Sequence, residues 1–533
     1  MNHIKIDLER IVSDIDRNIF GGYMEIACSH RDTEFSYLDI GDNADADKSR
    51  LPFKVRNALE RMNLATIRFP GGNFASGYRW EDGVGPRHER PIRHDLAHNP
   101  LRIVPNHYGT NEFIRFCRSM NIEPYLCVNC GDGNMREAAD WVEYCNGTGD
   151  TELVNLRRKH GFKDPHKVKY WGIGNEVDGP WQLGYKTPQE YARAVTEFSN
   201  VMKRVDPNIN LVASAVSLWE DHPLSQFPDQ HSRWVERTQL ILEQAGDIVD
   251  YLAIHRYAHP SENEPFETYM AFAESFNERL NAYEGLIRAV SLERGIKHSI
   301  NIAVDEWDGT RIPEDNSKDD PIKLAADEWG VMHLPEGKKD VPYNIKLKVS
   351  LEDALATAQC LNTFIRHAHS VRMANFTPMP TRGMINYDRP DKPVLLKTIF
   401  FPFELYSRTC GQLALDVFWY GDTFSGTYKN RAYKGMRTLD VAATLDKNRK
   451  QLVMYVVNQS KEKAMETNIS LTSGQFTGIV QVCVINGPDV KAENTDEKPN
   501  EVGERETVIN VSGKSFIYLF EPHSVTALVC QVK

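Results

Sequence analysis

The chain has 533 residues, a formal charge of −11 and a sequence pI of about 5.9, with 41% hydrophobic and 26% charged residues. That length exceeds one small core and suits a large barrel with a second domain. The acidic balance argues against a nucleic-acid or anionic-membrane surface and is compatible with a neutral substrate. No apolar h-region follows Met1, and no run of about 18 apolar residues occurs. A cytoplasmic protein without a spanning helix is therefore expected.

Strand-like runs fall near 18–25 and at 64–69, 124–129, 170–174, 210–214, 251–255, 300–305 and 371–376. Helical patterns lie between them, at 54–62, 108–120, 135–144, 188–205, 233–244, 267–294 and 351–369. Alternation repeated this often predicts an α/β fold, a parallel (β/α)8 TIM barrel over 16–411. The stretch 308–343 breaks the rhythm. It is charged, contains proline and follows Glu306-Trp307, so it reads as either a substrate-binding loop or a solvated insertion. After Gly411 the texture changes to short strands with polar turns, which predicts an all-β, jelly-roll-like sandwich over 412–533. Residues 1–15 are also strand-like and are expected to join it.

Nine cysteines are scattered along the chain, Cys28 among them, and reduced buried thiols are expected. Cys127 and Cys130 form a CxxC in a strand entering a glycine-rich turn, but no second pair follows at zinc spacing. His94, His98 and His107 imply no metal geometry and read as loop or subsite residues. The glycine pairs make neither a P-loop nor a dinucleotide fingerprint. No metal and no cofactor is expected.

Two runs end abruptly in a carboxylate: Tyr170-Trp171-Gly172-Ile173-Gly174-Asn175-Glu176 and Ile302-Ala303-Val304-Asp305-Glu306. The C-terminal tip of a barrel strand is where such barrels do chemistry. Two convergent carboxylates are what glycoside hydrolysis needs, one as proton donor and one as nucleophile or base. Glu176 is the candidate acid/base, in a polar and aromatic cluster with Asp178 and Trp181. Glu306 is the candidate nucleophile. Asp305 is its rival, and strict strand alternation would let only one of the two face the site. Arg68 could keep a carboxylate ionised, and Gly71-Gly72 would let backbone approach a ligand. Asn73, Asn175 and Glu25 could bind sugar hydroxyls, and Tyr257 could hydrogen-bond the nucleophile or simply cap the core.

Taken together, these segments resemble the α-L-arabinofuranosidases of glycoside hydrolase family 51. The anchors are FGGYME (20–25), RFPGGNF (68–74), GTNEF (109–113), EPYLCVNCGDG (123–133), VKYWGIGNEVDGPWQLGY (168–185), HRY (255–257), DEW (305–307) and LEDALATAQCLNTFIRHA (351–368). The resemblance implies a retaining glycosidase that releases terminal arabinofuranose from oligosaccharides, with Glu176 as acid/base and Glu306 as nucleophile. It implies Glu25, Arg68, Asn73, Asn175 and Tyr257 as sugar-binding residues. It also implies a homo-oligomer, a hexamer in many members.

The chain departs from the family pattern at 97–106, which lacks the usual Trp and Glu, at 374–380, which lacks a Gln, and after Trp307. Another furanoside, a galactofuranoside or D-arabinofuranoside, is therefore an alternative substrate, as is internal glycan cleavage. A non-catalytic carbohydrate-binding protein is the alternative from outside the enzymes.

Overall fold

A long first strand, β1 (Asn2–Asp14), leads into a closed barrel. The computed structural model describes residues 2–25, 53–97, 102–222, 225, 232–258, 260, 264–309, 349–377, 384–386 and 393–533. Cys28, His98, the segment 308–343 beyond Gly309, and 378–380 lie outside the described residues.

The barrel has eight strands: β2 (Gly21–Tyr23), β3 (Thr66–Phe69), β4 (Glu123–Val128), β5 (Tyr170–Ile173), β6 (Asn210–Val216), β7 (Tyr251–Tyr257), β8 (Asn301–Asp308) and β9 (Val371–Phe376). Every pairing is parallel, and β9 returns to β2. All eight fall where the apolar runs place them. Tyr125, Val212, Tyr251, Ala253, Ala303 and Met373 pack into an apolar cluster inside the barrel. That plug leaves the C-terminal end of the strands as the open face.

The helices are α1 (Phe53–Met62), α2 (Thr110–Ser119), α3 (Met135–Asn146), α4 (Glu152–Lys159), α5 (Pro188–Val205), α6 (Trp234–Ala245), α7 (Phe266–Arg294), α8 (Leu351–Arg366) and α9 (Phe400–Thr409). The start of α5 is set by chemistry at its first turn. Glu190 Oε2 accepts from the Thr187 backbone N–H at 2.9 Å, Thr187 Oγ1 accepts from the Glu190 N–H, and Pro188 supplies a preset φ. Two helices escape the sequence reading. α4 buries only Val154 and Arg157, so it has almost no apolar stripe. α9 is an aromatic run with Pro402 in its first turn, where the missing N–H costs nothing.

Ten more strands follow: β10 (Leu413–Tyr420), β11 (Thr423–Tyr428), β12 (Arg431–Arg437), β13 (Leu439–Leu445), β14 (Gln451–Asn458), β15 (Met465–Leu471), β16 (Phe476–Asn486), β17 (Gly503–Gly513), β18 (Ser515–Phe520) and β19 (Ser524–Val532). Nine strands hydrogen-bond in one order, β17-β16-β19-β14-β13-β10-β1-β15-β18. β1 sits antiparallel to β10 and parallel to β15, which joins the start of the chain to its end. The layers of the sandwich are parts of this one sheet, wrapped around a core that includes Ile4, Ile6, Val441, Leu452, Ile469, Phe476, Phe520 and Leu528.

β11 and β12 form a separate ribbon that leaves this sheet and lies on α7. Its approach is close: a Cβ on Gly426 would stand 2.3 Å from the Glu267 carbonyl oxygen. Tyr428 Oη–H donates to the Ala258 carbonyl at 2.8 Å, and Arg431 pairs with Glu278. The turn after Tyr428 thereby brings Lys429 to a small cavity of about 30 Å³ that His255 and Tyr257 also line.

α8 joins the two halves. Every residue from Leu351 to Ile365 is buried, because α7 and α9 cover one side and β10, β13 and β14 the other. Its polar side chains bond across the junction: Gln359 Nε2–H to Gln459 Oε1 at 2.9 Å, and Asn362 Nδ2–H and Arg366 Nη1–H to Asp440 at 2.7 and 2.8 Å.

Candidate active site

The site is assembled at the ends of β2, β3, β5, β7 and β8. Beyond β5 the chain turns sharply, with Gly174 at φ +77° and Glu176 at φ 43°. A left-handed backbone is unfavourable for a glutamate and is held only where the surroundings fix it. Asp178 supplies that hold by accepting the backbone N–H groups of Ser217 and Leu218 at 2.8 and 2.9 Å. Beneath it, the Cys127 thiol donates to the Gly174 carbonyl at 3.3 Å. Burial pushes the Cys127 and Cys130 thiols up to about 12 and about 11, so both pack as neutral groups. The turn presents a buried Glu176 whose Oε2 accepts from Trp181 Nε1–H at 2.8 Å and whose Oε1 lies 2.8 Å from His255 Nδ1.

Glu306 faces it. Arg68 Nη1–H donates to Glu306 Oε1 at 2.7 Å, and Tyr257 Oη–H donates to Oε2. Arg68 is fully buried and also donates to Asn175 Oδ1 and, at 3.2 Å, to the Asp305 carbonyl. Single ligand atoms of Glu176, His255 and Glu306 all lie within 4.8 Å of one another.

Strict alternation fails at Asp305 and Glu306. The register of β8 against β7 skips between Ala303 and Glu306, and against β9 between Val304 and Trp307. This bulge re-aims the chain so that both acids point inward, as bulges beside active sites do. Glu306 lies opposite His255 in the ladder. Asp305 sits with Tyr125, whose Oη–H donates to its Oδ2 at 2.9 Å, and its Oδ1 is 3.0 Å from His255 Nε2. The expectation that only one of the two faces the site is thus corrected.

Charge within the site is nearly balanced. Burial alone would lower His255, but Glu306 and Asp305 outweigh it and push its pKa up to about 10. Burial would raise Asp305, but Arg68 and His255 more than reverse that and hold it below the usual carboxylate range. Burial raises Glu306, His255 and Arg68 pull it back, and the net direction is upward, with Glu176 adding to the rise. Three carboxyls thus share two cationic neighbours, Arg68 and His255.

Glu25 closes the β2 side, its Oε1 accepting from the Phe74 N–H at 3.2 Å and its Oε2 from Tyr23 Oη–H at 2.9 Å. Asn73 is half-buried at the start of the turn after β3 and lends its carbonyl to Gln182. Asn175 keeps a buried Nδ2 group without a protein partner. Gly72 lies over the acids: a Cβ there would stand 2.4 Å from Tyr23 Oη and 3.4 Å from Glu306 Oε1. His94 and His107 are exposed on outlying segments and do not join the cluster.

Residues 58–279 match the family model described as the alpha-L-arabinofuranosidase 1 domain, and residues 327–524 the one described as the alpha-L-arabinofuranosidase C-terminal domain. The chain is 32% identical to the probable alpha-L-arabinofuranosidase C of Aspergillus clavatus, over 98% of this chain and 96% of that one. The chain belongs to the family 51 α-L-arabinofuranosidases. It is 29% identical to the intracellular exo-alpha-(1->5)-L-arabinofuranosidase 1 of Bacillus subtilis, with 97% of each chain covered. A crystal structure of the Thermotoga maritima α-L-arabinofuranosidase in an arabinose complex superimposes with a TM-score of 0.80 at 30% identity, over 100% of both chains. Membership makes the chain a glycosidase acting on arabinofuranosides.

Of the seven residues singled out from the sequence, the fold brings Glu176, Glu306, Arg68, Asn175 and Tyr257 into one cluster with His255, sets Glu25 beside it through Tyr23, and engages Asn73 through its backbone carbonyl. It adds three that the sequence reading did not assign. His255 was detectable: it sits two residues before Tyr257 on the same strand and so shares its face. Trp181 was visible only as part of a cluster. Tyr23, which bonds Glu25 and lies under Gly72, gave no signal beyond its neighbours.

Proposed function

We propose that the chain is a retaining, exo-acting hydrolase that removes terminal α-L-arabinofuranosyl residues from oligosaccharides. Glu306 forms a bond to the anomeric carbon as the bond to the leaving oxygen breaks, and Glu176 transfers its proton to that oxygen. Glu176 then takes a proton from water, the water oxygen bonds to the anomeric carbon, and the bond to Glu306 breaks. The observation that supports this most is the approach of Glu176 and Glu306 ligand oxygens to within 4.8 Å. Retaining enzymes keep their carboxyls about 5–5.5 Å apart, whereas inverting ones leave about 6.5–9.5 Å for a water. Arg68 and Tyr257 orient the nucleophile, and Glu25, Asn73 and Asn175 bind sugar hydroxyls.

The name of the Bacillus subtilis relative favours exo action and an intracellular place, and we carry both over to this chain. Among the described residues no helix is long and apolar enough to cross a membrane. We also read 16–411 as the catalytic unit and 412–533 with 1–15 as its companion, in a homo-oligomer.

The test is a set of initial rates on 4-nitrophenyl α-L-arabinofuranoside, β-D-galactofuranoside, α-D-arabinofuranoside and β-D-xylopyranoside. A strong preference for the first, lost in Glu306→Ala, is expected. Preference for another furanoside would move the specificity to the departures at 97–106 and 374–380.

A further inference from the structure

At the end of the barrel opposite Glu306, Glu284 on α7 faces the turn 367–370 between α8 and β9. His367 is buried there and His369 is exposed. His367 Nδ1 lies 2.8 Å from Glu284 Oε1, and His369 Nε2 lies 3.3 Å from Glu284 Oε2. One ligand atom from each of the three residues lies within 4.8 Å of the other two.

The far side of the His367 ring is held as well. Its Nε2 is 2.9 Å from Asn277 Oδ1. Asn277 stands two turns before Glu284 on α7. The amide oxygen facing His367 can only accept, so Nε2 carries the hydrogen. Its other nitrogen, Nδ1, points at a carboxylate oxygen 2.8 Å away. A proton or a metal cation can bridge two such atoms, and the geometry of the whole cluster distinguishes them. Ser370 Oγ–H also donates to Glu284 and holds the carboxylate in place. An imidazole that donates through one nitrogen to an amide or carboxylate oxygen and offers the other inward is the arrangement that supports metal-binding histidines.

We propose that Glu284, His367 and His369 bind a divalent transition metal ion of the zinc class, with water completing a tetrahedron on the solvent side. Two imidazole nitrogens and one carboxylate oxygen form a zinc donor set, while calcium and magnesium favour all-oxygen sites. Bonds of about 2.0–2.1 Å put tetrahedral ligand atoms roughly 3.3 Å apart. His369 Nε2 is 3.3 Å from Glu284 Oε2 and His367 Nδ1 is 2.8 Å from the other oxygen, so the carboxylate turns to give one oxygen to the ion. The ion would tie α7 to the α8–β9 turn. None of its ligands belongs to the Glu176–Glu306 cluster, so it acts on stability.

The experiment uses the full chain stripped with a chelator, titrated with zinc chloride against a chromogenic zinc indicator and followed by thermal unfolding. Wild type is expected to bind micromolar zinc and to unfold at higher temperature with it. His369→Ala removes an exposed side chain, so it is expected to fold and to hydrolyse substrate as wild type does. Its zinc affinity is expected to fall at least tenfold, and the zinc-dependent rise in Tm to disappear. Glu306→Gln, which disturbs the catalytic cluster instead, is expected to keep both. Equal zinc binding and equal Tm shifts in wild type and His369→Ala would overturn the proposal, as would no zinc uptake by wild type.

Discussion

His255 Nε2 lies 3.0 Å from Asp305 Oδ1, so the acid just before Glu306 holds the imidazole that reaches both Glu176 and Glu306. Asp305 is a positioning residue whose carboxylate also meets Tyr125 Oη and the Arg68 guanidinium. Asp305→Asn keeps the shape but removes a charge that raises His255. Its kcat is expected to fall about 10–100-fold, with the alkaline limb of the pH–rate profile displaced to lower pH. A uniform fall at every pH would assign Asp305 a purely structural role.

The same imidazole sets a pH window for stability. Its pKa rises from 6.5 to about 10 on folding. A raised pKa means that the contribution is complete below about pH 6.5 and is lost as pH climbs through about 10. Resistance to guanidinium is expected to decline across that window in wild type, and to decline less steeply in His255→Gln. Parallel slopes in the two proteins would refute the assignment.

The two glutamates are separable by leaving group. Glu306→Ala is expected to cost about 10⁴-fold or more on every substrate. Glu176→Ala is expected to cost about 10²–10⁴-fold on arabino-oligosaccharides, the usual worth of a general acid. On a 4-nitrophenyl glycoside its first step is nearly normal, and added azide is expected to restore turnover. Equal losses on both substrate types would reverse or remove these roles.

Gly72 gives a steric test of where the sugar lies. The Cβ in Gly72→Ala would press on Tyr23 Oη and stand beside Glu306. A loss of kcat/KM of about 100-fold is expected, with a change in Tm of no more than a few degrees. Unchanged kinetics would place the ligand elsewhere.

The ribbon is tested at Gly426, whose Cβ would collide with the Glu267 carbonyl. Gly426→Ala is expected to lift the ribbon and move Lys429 away from the cavity beside His255 and Tyr257. Because that cavity lies outside the Glu176–Glu306 pair, KM for oligosaccharides is expected to rise more than KM for the 4-nitrophenyl glycoside. An equal change on both would mean that the ribbon only stabilises α7.

The barrel was legible because each of its strands is an apolar run ending at a polar or glycine-rich turn, as at Ile67–Gly72 and Trp171–Glu176. The acids were legible because they end such runs. The bulge was not, since the sequence Ala303-Val304-Asp305-Glu306 looks like any alternating strand and only its pairing with β7 and β9 shows the skipped register. The ribbon was also missed, because the side chains of β11 and β12 are largely exposed and carry little apolar pattern. α4 escaped for the same reason.

α8 is interior to both halves at once. In the usual modular enzyme a binding domain hangs from a catalytic one by a linker and can be traded between lineages. Here such a trade would lay bare Gln359, Asn362 and the apolar side of a helix that carries no solvent-facing surface between Leu351 and Ile365. The C-terminal sheet is thus a permanent wall of the catalytic body, and substitutions on either side of that helix have to be accepted together or not at all.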